Sequence, residues 1–262
     1  MKMPNYKLIK VEEKNNGIYW VTLNRPELHN AFNEQMIEEL TNAFHNFSLK
    51  NGQRLVVLTG EGPSFCAGAD LHWMKKMKDY SYEDNLKDSQ NLALMFQTID
   101  QCSVPILGRI NGHALGGGAG LLSVCDYNIC VESAKIGFTE VKLGLLPAVI
   151  SPFVLKKIGE SFGRAYFLTG EKFNPATALR MQLIHKVVIS EQLDLEVEDR
   201  LQEFLSAAPE ASHLAKKLIK EVLGNVTTEV QKRTCEMISK KRISPEAQEG
   251  MIALLEKRKP HW

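Results

Sequence analysis

Three short segments of this 262-residue chain carry residue types that could do chemistry together. They are Phe65-Cys-Ala-Gly-Ala-Asp-Leu71, Asn111-Gly-His-Ala-Leu-Gly-Gly-Gly118 and Thr139-Glu-Val-Lys-Leu-Gly-Leu-Leu-Pro147. In Gly116-Gly-Gly118 the missing side chains let an incoming group approach the backbone closely. If a helix begins there, its unpaired amides and the positive end of its dipole favour an oxyanion. Cys66 to Leu71 is a second small-residue turn after a predicted strand. One N–H donor from each segment would hold a thioester carbonyl oxygen as negative charge develops on it. The third segment sets a single carboxylate, Glu140, among mostly apolar residues, where a raised pKa suits proton exchange with carbon. Each segment alone also has a plainer reading: a close-packed helix start, a tight turn, a glutamate beside helix amides. Their combination points to carbonyl activation without a metal, a nucleotide fold or a conventional nucleophile.

Neighbouring groups are weaker candidates. Cys66 has no identifiable base partner, and Asp70, a short acid after Gly-Ala, suits capping of a turn. Asp126 precedes a predicted strand and suits capping or packing. His113 lies beside the glycine loop without an orienting acid, so packing or a peripheral polar contact fits it better than catalysis. Gly112, Gly116 and Gly118 do not give the spacing of a dinucleotide fingerprint, and no Gly-Lys-Ser/Thr of a phosphate loop follows. The Trp73 to Met77 stretch, with Lys75 and Lys76, could line an acyl channel or form a mobile amphipathic segment. Lys257-Arg-Lys259 could meet phosphates or solubilise the end of the chain. Trp262 could stack on a base or cover a subunit contact.

Composition narrows the partners. The 32 basic and 31 acidic residues leave a formal charge of +1, which argues neither for nucleic acid nor for an anionic membrane. The five cysteines are scattered with no C-x-x-C pair, and the histidines show no H-E-x-x-H spacing, so no metal is expected. Met1 to Tyr6 lacks the apolar run of a signal peptide, and no apolar stretch reaches about 18 residues. A cytoplasmic protein with no membrane partner is the expectation.

The elements that must position the three segments alternate. Leu8 to Val11 and Ile18 to Leu23 read as strands around an Asn15-Asn-Gly17 turn, and Asn24-Arg-Pro-Glu27 ends that pattern. Helical periodicity runs from Asn33 to Phe47. Leu55-Val-Val-Leu58, Val104-Pro-Ile-Leu107 and Tyr127-Asn-Ile-Cys-Val131 read as strands, with a further strand-like piece at Lys135 to Phe138. Leu115 to Val124 reads as a helix, and Leu92 to Ile99 has helical spacing. Met74 to Ser89 has weak periodicity and reads as a mobile flap or irregular helix. After Pro152 helices dominate: 154–158, 164–168, 175–181, 193–205, 210–223, 229–239 and 245–256. The class is α/β, a sheet covered by helices with a helical tail folded onto it.

In their order and spacing the segments at 65–71 and 111–118 resemble the crotonase, or enoyl-CoA hydratase/isomerase, superfamily. The resemblance runs from Asn24-Arg-Pro26 to Glu256-Lys-Arg-Lys-Pro260, nearly the whole chain. Thr139 to Pro152 is most similar to the methylglutaconyl-CoA hydratase branch, which includes enzymes of leucine degradation. The resemblance implies a crotonase-like spiral of ββα turns over residues 1–200. It also implies an α-helical C-terminal region, 201–262, for oligomerisation and closure of the CoA pocket. It implies an acyl-CoA substrate with coenzyme A as part of that substrate rather than a cofactor, and a homotrimer or dimer of trimers. Carried over by motif, the oxyanion donors are the amides of Ala69 and Gly117, the catalytic acid or base is Glu140, and Ala67, Asp70, Leu71 and Lys257 hold CoA. There is one departure: where two-glutamate hydratases place their first glutamate, this chain has Gly120. The implied function is hydration of a 2-enoyl-CoA, branched or carboxylated, such as 3-methylglutaconyl-CoA. Double-bond isomerisation by Glu140 and a catalytically weak CoA- or RNA-binding protein are the alternatives.

Overall fold

A computed structural model, describing residues 4–48, 52–77, 79–223, 227–242 and 244–262, shows strand pairs that turn a corner and pass into a helix. Strands β1 (Ile9–Lys14) and β2 (Ile18–Leu23) make an antiparallel hairpin, and helix α1 (Glu34–Asn46) follows, capped by the Asn33 side chain on the Met36 amide. A repeat then begins. β3 (Leu55–Gly60) turns into β4 (Ser64–Cys66), followed by α2 (Leu71–Met77) and α3 (Tyr82–Asp100). β5 (Ile106–Ile110) turns into β6 (His113–Leu115) and α4 (Gly117–Val124). β7 (Tyr127–Val131) turns into β8 (Ile136–Gly137) and, after a 3-10 turn at Glu140–Leu143, α5 (Ser151–Thr169). Then come β9 (Lys172–Phe173), α6 (Pro175–Arg180) and β10 (Lys186–Val188). Helices α7 (Leu193–Ser206), α8 (Pro209–Val222), α9 (Thr228–Arg242) and α10 (Pro245–Leu255) complete the C-terminal region.

The first strand of each repeat joins a six-stranded sheet of order β1-β2-β3-β5-β7-β10, parallel from β2 onward. The second joins a small sheet of order β4-β6-β8-β9, parallel from β4 to β8. All six residues of β3 are buried, as expected for a parallel strand covered on both faces. This spiral is the ββα crotonase-like architecture followed by helices. Its consequence is local: β4, β6 and β8 are neighbours, so the segments that leave their carboxyl ends emerge side by side. Those segments are the three in which the sequence placed its candidate chemistry.

A brace from the N-terminal region fixes the first of them. Phe32 N–H donates to Gly68 O at 2.7 Å, Asp70 N–H to Phe32 O at 2.8 Å, and Ala67 N–H to His29 O at 2.9 Å. The fully buried Asn30 donates to the carbonyls of Glu61 and Ser64 and accepts from the Arg25 amide. Arg25 in turn reaches Ala31 O and the Asp70 carboxylate, both at 2.7 Å. Asn24-Arg-Pro26, which in sequence only ends a strand, thus begins the clamp on the Ala69 turn.

Several elements differ from expectation. Met74 to Ser89 is not an irregular flap: apart from Lys78, which lies outside the described residues, it joins two regular helices, and a Ser81/Asp84 capping box starts the second. The weak apolar stripe of α3 hid a well-capped start. The helices expected at 154–158 and 164–168 are one run bent at Gly159, whose φ of 69° breaks the periodicity. Strands β4, β6, β9 and β10 are two or three residues long, too short to leave a pattern. Met1 to Met3, part of the segment read as lacking a signal peptide, lie outside the described residues. Among the described residues no helix is long and apolar enough to cross a membrane.

The Arg25–Asp70 pair is nearly buried, at 11% and 5% exposure, so removing one partner leaves the other uncompensated. Arg25→Met should lower unfolding free energy by roughly 3–5 kcal/mol in urea titrations. Burial raises the Asp70 pKa, but the Arg25 hydrogen bond and the His72 and Trp73 amides outweigh it and hold the carboxyl below its usual value. Its stabilising contribution is therefore complete above the unfolded value of about 3.9 and is lost as pH falls through the depressed folded value. The variant should accordingly show a shallower acid limb than the parent.

Candidate active site

The turn after β4 and the turn after β6 meet through glycines. Gly68 has φ of 94° and Gly116 φ of 51°, conformations that side chains resist. A Cβ on Gly68 would lie 2.8 Å from Leu115 O, and one on Gly116 would lie 4.0 Å from Gly68 Cα. The two backbones touch because neither carries a side chain there. Immediately after these glycines come Ala69 and Gly117. In the bridge between Phe32 and Ala69 the bonds use Gly68 O and the Asp70 amide, so the Ala69 amide points the other way. Gly117 is the first residue of α4, where a helix has no internal acceptor for its amide. Among the described residues neither amide donates to a protein acceptor. Close packing holds them in place: a Cβ on Gly117 would meet the Phe32 ring at 2.9 Å, and one on Gly118 would collide with Cys66 O.

Glu140 opens the 3-10 turn after β8, and its Oε1 is 3.4 Å from the position of a Cβ on Gly116. Its Oε2 is buried with no hydrogen-bond partner. Burial pushes the carboxyl above the usual carboxylate range, against a smaller pull from its own backbone N–H. A desolvated carboxylate with an unused oxygen beside two unused amides can move a proton next to a carbonyl whose charge the amides hold.

These groups line a cavity of about 350 Å³, which Ala67, Ala69, Leu71, Gly117 and Glu140 share with Trp73, Met74, Leu92 and the 145–150 segment. Trp73 and Met74, from the stretch that could line an acyl channel, contribute walls, as do Ser89 and residues 147–150. Leu71, Leu143, Leu145 and Leu146 stand exposed around the cavity. An adjoining groove, lined by Glu27, Leu28, His29 and His72, shares Ala67, Ala69 and Leu71 with the cavity and continues it. Among the described residues, the side chains lining the main cavity include one ionisable group, Glu140, and two hydroxyls, Ser89 and Thr139.

The other candidates fall where their chemistry allows. Asp70 is turned away into Arg25 and caps α2 through the His72 and Trp73 amides. Cys66 is buried, its thiol pushed up to about 12 by desolvation, and it donates to Asn30 O, which leaves it inert. His113 accepts from the Lys135 amide, and Asp126 accepts from the Ile106 amide and pairs with Lys216. Trp262 donates to Ser206 O and packs over Gly250 of the same chain. Lys257 is exposed and does not line the cavity of its own chain. Gly120 is closed off: a Cβ there would stand 2.5 Å from Ile150 Cγ2 and 3.1 Å from Phe96 Cζ. An apolar plug therefore fills the volume in which a second carboxylate would begin. Sequence reasoning found the missing glutamate but not the plug, because Phe96 and Ile150 are ordinary core types in distant segments.

The model of the enoyl-CoA hydratase/isomerase family matches residues 13–262. The enoyl-CoA hydratase AKT6-1 of Alternaria alternata is 36% identical over 206 residues, 78% of this chain and 67% of that protein. An enoyl-CoA hydratase of Shewanella pealeana superposes with a TM-score of 0.91 at 35% identity, covering 98% of this chain and 96% of the other. AtuE of Pseudomonas aeruginosa superposes at 0.93 with 28% identity, covering 97% and 98%. Matched by the family model from residue 13 to its last residue, and built on the same spiral core as these structures, this chain belongs to the enoyl-CoA hydratase/isomerase family and is an enzyme of acyl-CoA thioester chemistry.

Proposed function

We propose that the enzyme hydrates a 2-enoyl-CoA, with Glu140 as its acid and base and the Ala69 and Gly117 amides as its oxyanion hole. The observation that carries this reading is the partnerless, buried Glu140 Oε2. The thioester oxygen accepts from the two amides, reinforced by the positive end of α4. Water oxygen bonds to Cβ, the π pair moves toward the carbonyl oxygen, and the water's proton passes to the Glu140 carboxylate. As the enolate collapses, Cα takes that same proton from Glu140. One carboxylate thereby closes the cycle, and a raised pKa narrows the gap between taking the proton and giving it back.

For the acyl group, the similarity of Thr139 to Pro152 to the methylglutaconyl-CoA hydratase branch supports a branched or carboxylated substrate such as 3-methylglutaconyl-CoA, and with it a place in leucine degradation. The apolar walls suit a methyl branch. No Lys, Arg or His is among the described residues lining the main cavity, so a distal carboxylate would stand at its open end. CoA would run past the Ala67 backbone and the Asp70-Leu71 turn into the adjoining groove. Lys257 would meet CoA bound by a neighbouring copy. A homotrimer or dimer of trimers is supported by the exposed Met251, Ile252, Leu254 and Leu255 of α10. The five free thiols support a cytoplasmic location.

Glu140→Gln keeps the shape of the side chain but not its proton. Turnover should fall by about 10²–10⁴-fold. The melting temperature near neutral pH should hold or rise, because the variant no longer buries a charge. In the parent, kcat/KM should decline as pH falls through a Glu140 pKa above the ordinary carboxylate range. A decline with rising pH through that value would instead mean that Glu140 starts protonated. Mass-resolved chromatography with 3-methylglutaconyl-CoA, crotonyl-CoA and a 3-enoyl-CoA tests the reaction and the acyl class. Water addition fastest on the first is expected; bond migration without a hydrated product would make the enzyme an isomerase.

A further inference from the structure

Hydration by one carboxylate leaves a requirement unmet. The water must be held while its proton faces Glu140, and the position that could carry a second carboxylate is Gly120 behind the Ile150 and Phe96 plug. What remains on the walls, among the described residues, is two hydroxyls, Ser89 and Thr139. Thr139 precedes Glu140 directly and occupies the cap position of the 3-10 turn that Glu140 opens. Threonine at a cap ordinarily accepts from an amide of the first turn. Here it makes no such bond, and among the described residues its hydroxyl has no protein partner. Thr139 is half-buried and lines the cavity, and its oxygen is not among the fully buried partnerless atoms.

We infer that Thr139 is the water-positioning residue of the hydration step: its Oγ accepts from one O–H of the nucleophilic water while the other O–H faces Glu140. This inference rests on the hydratase reading above. The hydroxyl gains no charge and transfers no proton; it fixes the water's orientation, so that the oxygen lone pair meets Cβ. The proton faced by Glu140 is the one that later arrives at Cα. Ser89 is the less suitable hydroxyl. It is exposed on α3, whereas Thr139 leaves the same short turn as the carboxylate. A capping role would explain a threonine at this position equally well in sequence, but the absence of the capping bond removes that explanation.

The experiment compares two reactions of the same site. Water addition to crotonyl-CoA needs a held water; exchange of the Cα protons of a 3-enoyl-CoA in deuterated water needs only Glu140 and the oxyanion hole. Thr139→Val keeps the branched shape and removes the hydroxyl. It should lower kcat for hydration by about 10–100-fold, with KM within about threefold, and lower Cα exchange far less. Thr139→Ser should restore hydration, and Ser89→Ala should show no loss of hydration beyond its loss of exchange. Equal losses of hydration and exchange in Thr139→Val, unchanged hydration, or a selective loss in Ser89→Ala would each overturn the assignment. A parent enzyme that exchanges Cα protons but adds no water to any enoyl-CoA would overturn the hydratase reading and this inference with it. A parent that hydrates while Thr139→Val hydrates equally well would overturn this inference alone.

Discussion

Two peptide segments, at Gly68 and Gly116, come into ordinary backbone contact, and the rest of the site depends on that approach. Neither position could hold a side chain without displacing a neighbour or straining its own φ. The approach sets the amides of Ala69 and Gly117 beside the carboxylate of Glu140, and it exists because β4 and β6 are parallel neighbours in the small sheet. Side chains contribute mainly by holding the backbone. Phe32 backs Gly117 and bridges Ala69, while Arg25 and Asn30 tie down the turn from the other side. An oxyanion hole made of main-chain amides is as precise as the packing behind it.

Burial of Glu140 has a thermodynamic direction of its own. A carboxylate left without a partner for one oxygen weakens the fold, and nothing in its packing repairs this. The proposed chemistry supplies a reason for keeping it, since a raised pKa narrows the gap between accepting a proton and donating it. Asp70 shows the opposite arrangement directly after Ala69, the proposed oxyanion donor. Its oxygens are occupied by a guanidinium and two amides, its pKa is lowered, and its work is to hold the turn.

Much of this was legible in the residues, for identifiable reasons. The strand at 127–131 and the helix near 33–47 follow from periodicity, which is strong where an element has one buried face or two. The three chemical segments were visible because glycine runs and a lone glutamate in apolar company are uncommon. Their convergence was not visible as geometry: it depends on β4, β6 and β8, strands of two or three residues that leave no pattern. The Arg25 clamp was hidden because its partner lies 45 residues away. The plug at Gly120 escaped because it joins a glycine, a helix phenylalanine and a loop isoleucine that only the spiral brings together. Nothing in the sequence singled out Thr139, because a threonine ahead of a turn ordinarily caps it and only the structure shows that bond to be absent.

The most direct test of the central claim reads the carbonyl itself. Isotope-edited infrared spectroscopy of a ¹³C-labelled enoyl-CoA thioester bound to Glu140→Gln, which turns over slowly, reports how strongly the bound oxygen is polarised. Two backbone amides converging on that oxygen predict a carbonyl stretch clearly lower than the same thioester shows in water. A frequency equal to that in water would mean that the Ala69 and Gly117 amides do not receive the oxygen, and the account of this site would fail with them.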